Sequence, residues 1–218
     1  MTDIVSRART EIAKQAGGSA RNRFVDLLEA GAVPEERLRW LAAELYRLVG
    51  SDRRSQAILA SRFPAGPAGD LFLTLAQGEA EALRLLDDFA AAVGMGAAEL
   101  AAYEPLPLAQ AYPAYLTQVA VSGPSSAMAL ALLANVDESG GTYARIAAAL
   151  RTHYGLSETA VGHFLFFAET PPELLDQARA VVEAGLANGE DADEAVRTAR
   201  IVSALEDAFW DALADGLA

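Results

Sequence analysis

Apolar residues recur along this chain at intervals of three and four positions, and no segment shows the apolar–polar alternation of a strand. A spacing of three and four places apolar side chains on one face of a helix. Alanine, the residue with the highest helix propensity, makes up about a fifth of the chain, and β-branched residues rarely follow one another. The pattern predicts an all-α protein.

Capping residues and prolines place the boundaries of the predicted helices. A short helix follows Ser19 and ends at Gly31, and a long one opens at Pro34 and ends before Pro64. The remaining helices are predicted over about 70–93 and 108–122, from Pro124 toward His153, from Ser157 to a break at Pro171-Pro172, and from about 191 to beyond Leu213. About seven helices joined by short loops form one bundle, with residues 1–218 as a single domain.

Gly140 and Gly141 stand next to each other behind the most apolar segment of the chain. Each glycine costs roughly 1 kcal/mol in a helix interior. The pair therefore predicts a kink or a close approach of the backbone to something bound, and the alternative is a simple break between two helices.

Composition excludes several classes of function. The chain has no cysteine, so disulfides, thiolate metal sites and a cysteine nucleophile are excluded. Its formal net charge of −13 repels phosphate backbones, so no nucleic-acid partner is expected. The longest apolar stretch, over residues 127–136, is too short to cross a bilayer, so no membrane partner is expected. We interpret the chain as a soluble cytoplasmic protein.

Polar groups within apolar helices are the best candidates for a site, because burying them is costly unless they are paired or used. Glu138 follows the most apolar segment and precedes the glycine pair, which makes it the foremost candidate for an acid or base. The alternatives are an exposed helix end or a pair with an arginine.

Further candidates lie on other predicted helices. Glu44 and Tyr46 lie within the second helix, and Arg53-Arg54 can bind a carboxylate or phosphate, although such a run is often an exposed face. Tyr112, Tyr115 and Tyr143 can line a cavity or be ordinary core residues. The two imidazoles, His153 and His163, are not spaced as a metal-binding pair; His153 suits a helix C-terminus, and His163 faces a cavity or is a hydrogen-bonded core residue.

Two segments resemble the haem-oxygenase-like superfamily, in particular its branch of TenA (thiaminase II), PQQ-synthesis protein C and CADD-like proteins. They are Leu41 to Ser55 and Leu132 to Tyr143, with further similarity at His153-Tyr154-Gly155-Leu156 and in the aromatic helix from His163 to Phe167. The resemblance implies a seven-helix bundle around a central cavity for a small molecule, usually in a dimer or tetramer.

The chain departs from the thiaminase-like members at two places. Those members carry a nucleophilic cysteine after Ala-Leu-Leu-Pro, where this chain has Asn135 after Ala134, so thiamin hydrolysis by that route is excluded. They also hold the pyrimidine with a Gln-Asp pair, and Glu44-Leu45 stands in the matching position.

The chain also departs from the metal-dependent members. Glu138 matches one carboxylate ligand of the di-iron oxidases, but Phe167, Pro171 and Leu174 stand where further ligands are expected. A di-iron centre needs about six ligands from several helices. No histidine precedes position 153, so haem ligation from the first helix is also not expected. We therefore expect neither a metal nor another cofactor.

These considerations favour a cofactor-independent, metal-free enzyme that acts on a small organic molecule, plausibly in a specialised biosynthetic pathway, and that forms a homodimer. In this hypothesis Glu138, His163 and Tyr46 are the catalytic groups, and the substrate contacts come from Glu44, Arg53, Arg54, Tyr112, Tyr143 and Phe167. A non-catalytic ligand-binding or interaction protein is the main alternative. A metal-dependent oxygenase that uses Glu138, His163 and Glu169 is the third possibility.

Overall fold

A computed structural model describes residues 2–15 and 22–217, and within these ranges the ordered secondary structure is α-helical. Ten helices follow one another along the described chain. They are α1 (Thr2–Gln15), α2 (Arg23–Glu29), α3 (Glu35–Arg62), α4 (Gly66–Ala92), α5 (Ala97–Ala102), α6 (Ala111–Ser122), α7 (Ser125–Tyr154), α8 (Gly162–Ala168), α9 (Pro172–Ala187) and α10 (Ala192–Ala214).

The all-α prediction is confirmed, and the number of helices is ten in the described residues rather than seven. Seven of them are 12 residues or longer, while α2, α5 and α8 have 7, 6 and 7 residues. Such short segments carry too few apolar repeats to be separated from loops by periodicity. Helix α1 has no counterpart among the predicted helices. The predicted cap Ser19 lies outside the described residues, and Asn22 caps α2 instead by accepting a hydrogen bond from Val25 N–H.

Several helix boundaries lie where capping chemistry predicts them. Helix α9 begins at Pro172, directly after Pro171, because a proline ring suits the first turn, where no helical N–H bond is lost. Helix α10 begins after Asp191, whose side chain accepts a hydrogen bond from Asp193 N–H. Helix α4 begins at Gly66, four residues earlier than predicted, because it accommodates Pro67 in its first turn.

Helix α7 runs without interruption through Gly140 and Gly141, so the alternative of a break between two helices is wrong. A Cβ atom at Gly140 would lie 3.0 Å from the carbonyl oxygen of Ala168, at the end of α8. The close approach predicted for the glycine pair is therefore an approach of two segments of this chain. It holds the end of α8 against α7.

Two clusters of buried apolar side chains form the core. One contains Leu38 of α3, Ile146 of α7 and Phe209 of α10, and the other contains Leu59, Leu130 and Val202 of the same three helices. Helices α3, α7 and α10 therefore connect both clusters. No helix in the described ranges is both long enough and apolar enough to cross a membrane.

Candidate active site in the bundle interior

A cavity of about 190 Å³ lies among helices α3, α4, α6, α7 and α10. Its lining contains members of both core clusters, including Leu116, Met128, Val202, Phe209 and Trp210. Phe167 and Thr170, from the segment around the end of α8, also line it. The predicted central cavity is therefore present, and most of its wall is apolar.

Helix α3 presents two polar side chains to this cavity, Asp52 and Gln56. Residues four apart lie on one face of a helix, and both side chains are buried. Asp52 Oδ1 and Gln56 Oε1 have no hydrogen-bond partner within the described chain. Buried polar atoms are nearly always paired, so two unpaired oxygens beside a cavity indicate a place where a ligand can donate hydrogen bonds.

The carboxyl group of Asp52 holds its proton at neutral pH. Burial raises its pKa to about 8, and the nearby Glu206 carboxylate adds to this effect, while Arg54 opposes it. An acid protonated at neutral pH can donate a hydrogen bond, or give up its proton to a ligand that is a stronger base.

Glu206 of α10 also lines the cavity. Burial raises its pKa to about 7, with smaller contributions from Asp207 and Glu138, while the hydrogen bond from Ser139 lowers it. Ser139 Oγ lies 2.8 Å from Oε1 and 3.1 Å from Oε2 of this carboxyl group. A carboxyl group with a pKa near neutrality can serve both as a general acid and as a general base.

A third acid, Glu79 of α4, and two tyrosines complete the titratable lining. Burial raises the pKa of Glu79 well above its ordinary value, and the charge of Asp52 acts in the same direction. Burial also raises the pKa of Tyr112 and Tyr143, so both hydroxyls stay protonated at neutral pH. Neither hydroxyl has a hydrogen-bond partner within the described chain, so both are available to a ligand.

The charge of the lining has one sign. Among the described residues around the cavity, none is a lysine, arginine or histidine. Burial is the main reason why the proton-bearing forms of these acids are favoured, and the charges of neighbouring acids add to it. The described chain contains no group of three or more His, Cys, Asp or Glu side chains arranged to hold a metal ion.

Of the residues chosen from sequence, the structure places Tyr112, Tyr143 and Phe167 in the cavity wall. It places Glu138 on the exposed side of α7, and the expectation that this residue faces the interior is wrong. The reason is helical phase: Asn135 and Ser139 are four apart and line the cavity, whereas Glu138 is turned away by about 100° from Ser139.

His163 is fully buried behind the cavity wall and does not line it. Its Nδ1 lies 3.0 Å from the carbonyl oxygen of Ala82, which makes Nδ1–H the donor, and its Nε2 has no partner in the described chain. Its ring contacts Tyr143, Phe164 and Phe167 edge-on. His163 therefore supports the aromatic wall, and the predicted proton-transfer role is wrong for this cavity, which the imidazole does not reach.

Burial lowers the pKa of His163 to about 4, so its contribution to folding depends on pH. Between pH 6.5 and 4 the unfolded chain binds a proton that the folded chain rejects, so stability is lost as the pH falls. Relative to a His163→Asn variant, which keeps an amide donor and does not titrate, the wild type should lose about 2 kcal/mol more between pH 7 and pH 5. Urea unfolding of both proteins at the two pH values measures this. Equal losses in the two proteins would show that this imidazole stays accessible to protons.

Glu44 anchors the loop before α6 and does not line the cavity. Its carboxylate accepts hydrogen bonds from Tyr103 Oη at 2.9 Å, from Leu106 N–H at 2.6 Å and from Gln110 Nε2. Its hydrogen-bonding capacity is thus used within the chain, and the prediction that it contacts a substrate is wrong for this cavity.

Tyr46, Arg53 and Arg54 also lie outside the cavity, in a second groove on another face of α3. The predicted grouping of these side chains with Glu138 and His163 is therefore wrong. The unusual metal set is not assembled either, because Glu138 and Glu169 are exposed while His163 is buried.

Sequence reasoning missed Asp52, Gln56, Glu79, Ser139 and Glu206. For three of these residues, the helical spacing in the sequence could have indicated that they face the interior. Asp52 and Gln56 continue the buried face of Leu45 and Val49 at helical spacing, and Glu206 lies four residues after Val202 and three before Phe209. An acid or amide within the apolar face of a helix is a better indicator of a cavity wall than an acid that only follows an apolar segment along the chain.

The fold and the interior cavity define a haem-oxygenase-like helical bundle. A domain of unknown function from Shewanella denitrificans with a heme oxygenase-like fold superposes with a TM-score of 0.76 at 15% identity, covering 96% of this chain and 88% of the other. A TenA family transcription regulator from Silicibacter sp. gives a TM-score of 0.72 at 18% identity, covering 96% of both chains. A TenA homologue from P. horikoshii gives 0.67 at 20% identity, covering 97% of both.

The sequence itself identifies the family. The model of the TENA/THI-4/PQQC family matches residues 13–216, so the chain belongs to that family. No curated protein matches the chain.

Proposed function

We propose that this protein is a cofactor-independent enzyme that acts on a small organic molecule by acid–base chemistry in the interior cavity. The observation that carries the proposal is the set of three carboxyl groups with raised pKa values, from Asp52, Glu79 and Glu206, facing one largely apolar space. Groups with shifted pKa values in a cavity are typical of proton-transfer sites.

The lining favours a ligand that carries a basic nitrogen. A basic nitrogen takes up a proton from a buried acid and forms an ion pair with it, which relieves the repulsion among the three carboxyl groups. A ligand with a free carboxylate or phosphate group would be repelled by these acids, and no basic side chain of the described lining would bind it. A cavity of about 190 Å³ with aromatic and aliphatic walls suits a single substituted ring.

The polar groups divide into two sides. Asp52 Oδ1 and Gln56 Oε1 on α3 accept hydrogen bonds from the nitrogen end of the ligand. Glu206 on α10, held by Ser139, takes or gives the proton at the reacting atom, since its pKa of about 7 suits both tasks. The hydroxyls of Tyr112 and Tyr143 donate hydrogen bonds to charge that develops on the substrate.

Membership of a family that also contains the PQQ-synthesis proteins supports a place in a specialised biosynthetic pathway. The proposal includes a cytoplasmic location, as the composition suggests, and a homodimer, as the resemblance implies. The second candidate function is a ligand-binding protein without catalysis. It is favoured by Asn135, which stands where thiaminase-like members have a cysteine and whose amide donates to Ala131 O at 2.8 Å.

Three ligands of one shape test the choice of substrate class. Benzamidine is a cation at neutral pH, benzamide is neutral and benzoate is an anion. We expect benzamidine to bind most tightly, benzamide at least tenfold more weakly and benzoate not measurably, by titration calorimetry at pH 7. Tighter binding of benzoate than of benzamidine would contradict the proposal.

Product formation separates the two candidate functions. We would incubate the protein with a panel of small amidines and carboxamides and follow the release of ammonia or amine. Release that is lost in Glu206→Gln and kept in Glu138→Gln supports the enzyme, because only the first of these acids lines the cavity. Saturable binding and a raised thermal midpoint with no product across the panel support the binding protein.

A further inference from the structure

A second groove, of about 900 Å³, lies between the outer face of α3, helix α5 and the start of α6. Three arginines line it, Arg47, Arg53 and Arg54, and none of the described lining residues is acidic. No residue of this groove also lines the interior cavity. The two recesses are therefore distinct, with opposite charge.

Two of these arginines form no hydrogen bond or ion pair with the described residues. Every other arginine of the described chain, apart from Arg151, donates a hydrogen bond to a carboxylate, a carbonyl or an amide oxygen. Arg53 and Arg54 make no hydrogen bond or ion pair within the described chain, although the protein has 30 acidic residues against 17 basic ones. Adjacent free cations in such an acidic protein are not explained by its own folding.

Arg47 lies deeper in the same groove. Its Nη2 donates to Tyr103 O at 2.9 Å, which fixes the guanidinium, and its Nε is buried with no partner in the described chain. A fixed guanidinium with an unused donor adds a third positive group beside the free pair.

The floor and walls of the groove leave room for an organic group. Gly50 lies within helix α3, where glycine costs about 1 kcal/mol relative to alanine. A Cβ atom there would meet only Arg54 Nη1, at 3.7 Å, so packing within the chain does not require glycine at this position. The walls include Leu100 and Pro113, and Tyr46 is 41% exposed at the edge.

We propose that this groove binds a small phosphomonoester, with its phosphate held by Arg53, Arg54 and Arg47 and its organic part against Tyr46, Leu100 and Pro113. Guanidinium groups match the oxygens of a phosphate dianion in geometry and charge, and two or three of them are typical of phosphate recognition. The overall charge of −13 repels anions elsewhere on the surface, which makes binding at this groove selective. The proposal does not depend on the function proposed for the interior cavity.

Phenyl phosphate is the probe that tests this site, with inorganic phosphate as its comparison. We expect saturable binding of phenyl phosphate by calorimetry, about tenfold tighter than that of inorganic phosphate because the ring contacts the apolar wall. Arg53→Ala and Arg54→Ala should each weaken binding about tenfold, and the double variant about a hundredfold. All variants should fold, since Arg53 and Arg54 are exposed and form no hydrogen bond or ion pair within the described part of the chain.

Arg151→Ala is the matched control, because Arg151 is also exposed and unpaired in the described chain but lies outside the groove. It should bind phenyl phosphate like the wild type, as should Glu206→Gln. If Arg151→Ala weakens the binding of phenyl phosphate as much as Arg53→Ala or Arg54→Ala does, only the overall charge matters. That result would contradict a phosphate site in this groove. Absence of saturable binding, as expected if a second copy covers the groove, would overturn it too. Equal affinities for phenyl phosphate and inorganic phosphate would overturn the role of the apolar wall.

Discussion

The double variant Asp52→Asn, Glu206→Gln is expected to bind benzamidine at least about a hundredfold more weakly than the wild type at pH 7. Each carboxyl group forms a charge-assisted hydrogen bond with a cationic ligand, and such bonds contribute about 1.5–3 kcal/mol each. Two of them correspond to a hundredfold or more in the dissociation constant. The substitutions conserve shape, and the cavity stays open, so titration calorimetry compares the two proteins directly.

Glu138→Gln is the matched control for this loss. It removes an acid from the exposed side of α7, about 100° around the helix from Ser139, which holds Glu206. Its charge raises the pKa of Glu206 only as a minor contribution, so we expect benzamidine affinity to change by less than about threefold. A loss in Glu138→Gln as large as that in the double variant would place the ligand at the surface of the bundle and contradict the site described above.

The single variant Asp52→Asn is expected to be more stable than the wild type at pH 8 by about 5 kcal/mol, and equally stable to within about 1 kcal/mol at pH 4. Burial raises the pKa of Asp52 from 3.8 to about 8. Between these values the folded protein keeps a proton that the unfolded chain releases, so stability declines as the pH rises through this range. Asparagine carries no such proton, so the variant does not lose stability for this reason.

Thermal unfolding followed by circular dichroism measures the difference. For a chain of this size, about 5 kcal/mol corresponds to about 10–20 °C in the midpoint. Asp87→Asn makes the same substitution at an exposed position of α4 and should leave the midpoint at pH 8 within about 2 °C of the wild type. A lower midpoint for Asp52→Asn at pH 8 would mean that the carboxylate stabilises the fold, contrary to its isolation from any partner.

The helices could be predicted from sequence to the extent that their boundaries depend on local chemistry. Helix α3 ends before Pro64 and α9 begins at Pro172, because proline acts on its own helix turn whatever the tertiary structure. Helix α1 was missed, since residues 2–15 carry charged or polar side chains at most positions and few apolar ones. Helix α1 packs against α10 and α7, and this packing stabilises it. Such tertiary contacts are not visible in the sequence.

The site was predictable only in part. Aromatic residues on buried faces, such as Tyr143 and Phe167, were correctly placed in the cavity, because a large ring on an apolar stripe has to face the interior. Glu138 was chosen for its neighbours along the chain, whereas its helical phase relative to Asn135 decides which way it points.

The sequence does not show that acids from different helices line the same cavity. Asp52 and Glu206 are separated by most of the chain, and only the packing of α3, α7 and α10 brings them to one cavity. Their shifted pKa values arise from that common burial. Residue type alone does not distinguish them from the exposed acids.

The interior carboxyl groups carry protons, and a basic ligand that binds beside them displaces one of these protons. At pH 7 Asp52, with a pKa of about 8, is mostly protonated, and Glu206, with a pKa of about 7, is half protonated. Titration of benzamidine at pH 7 in buffers of different ionisation enthalpy gives the number of protons exchanged on binding. We expect the release of about one proton per molecule bound. Binding without proton release, or with proton uptake, would contradict the account.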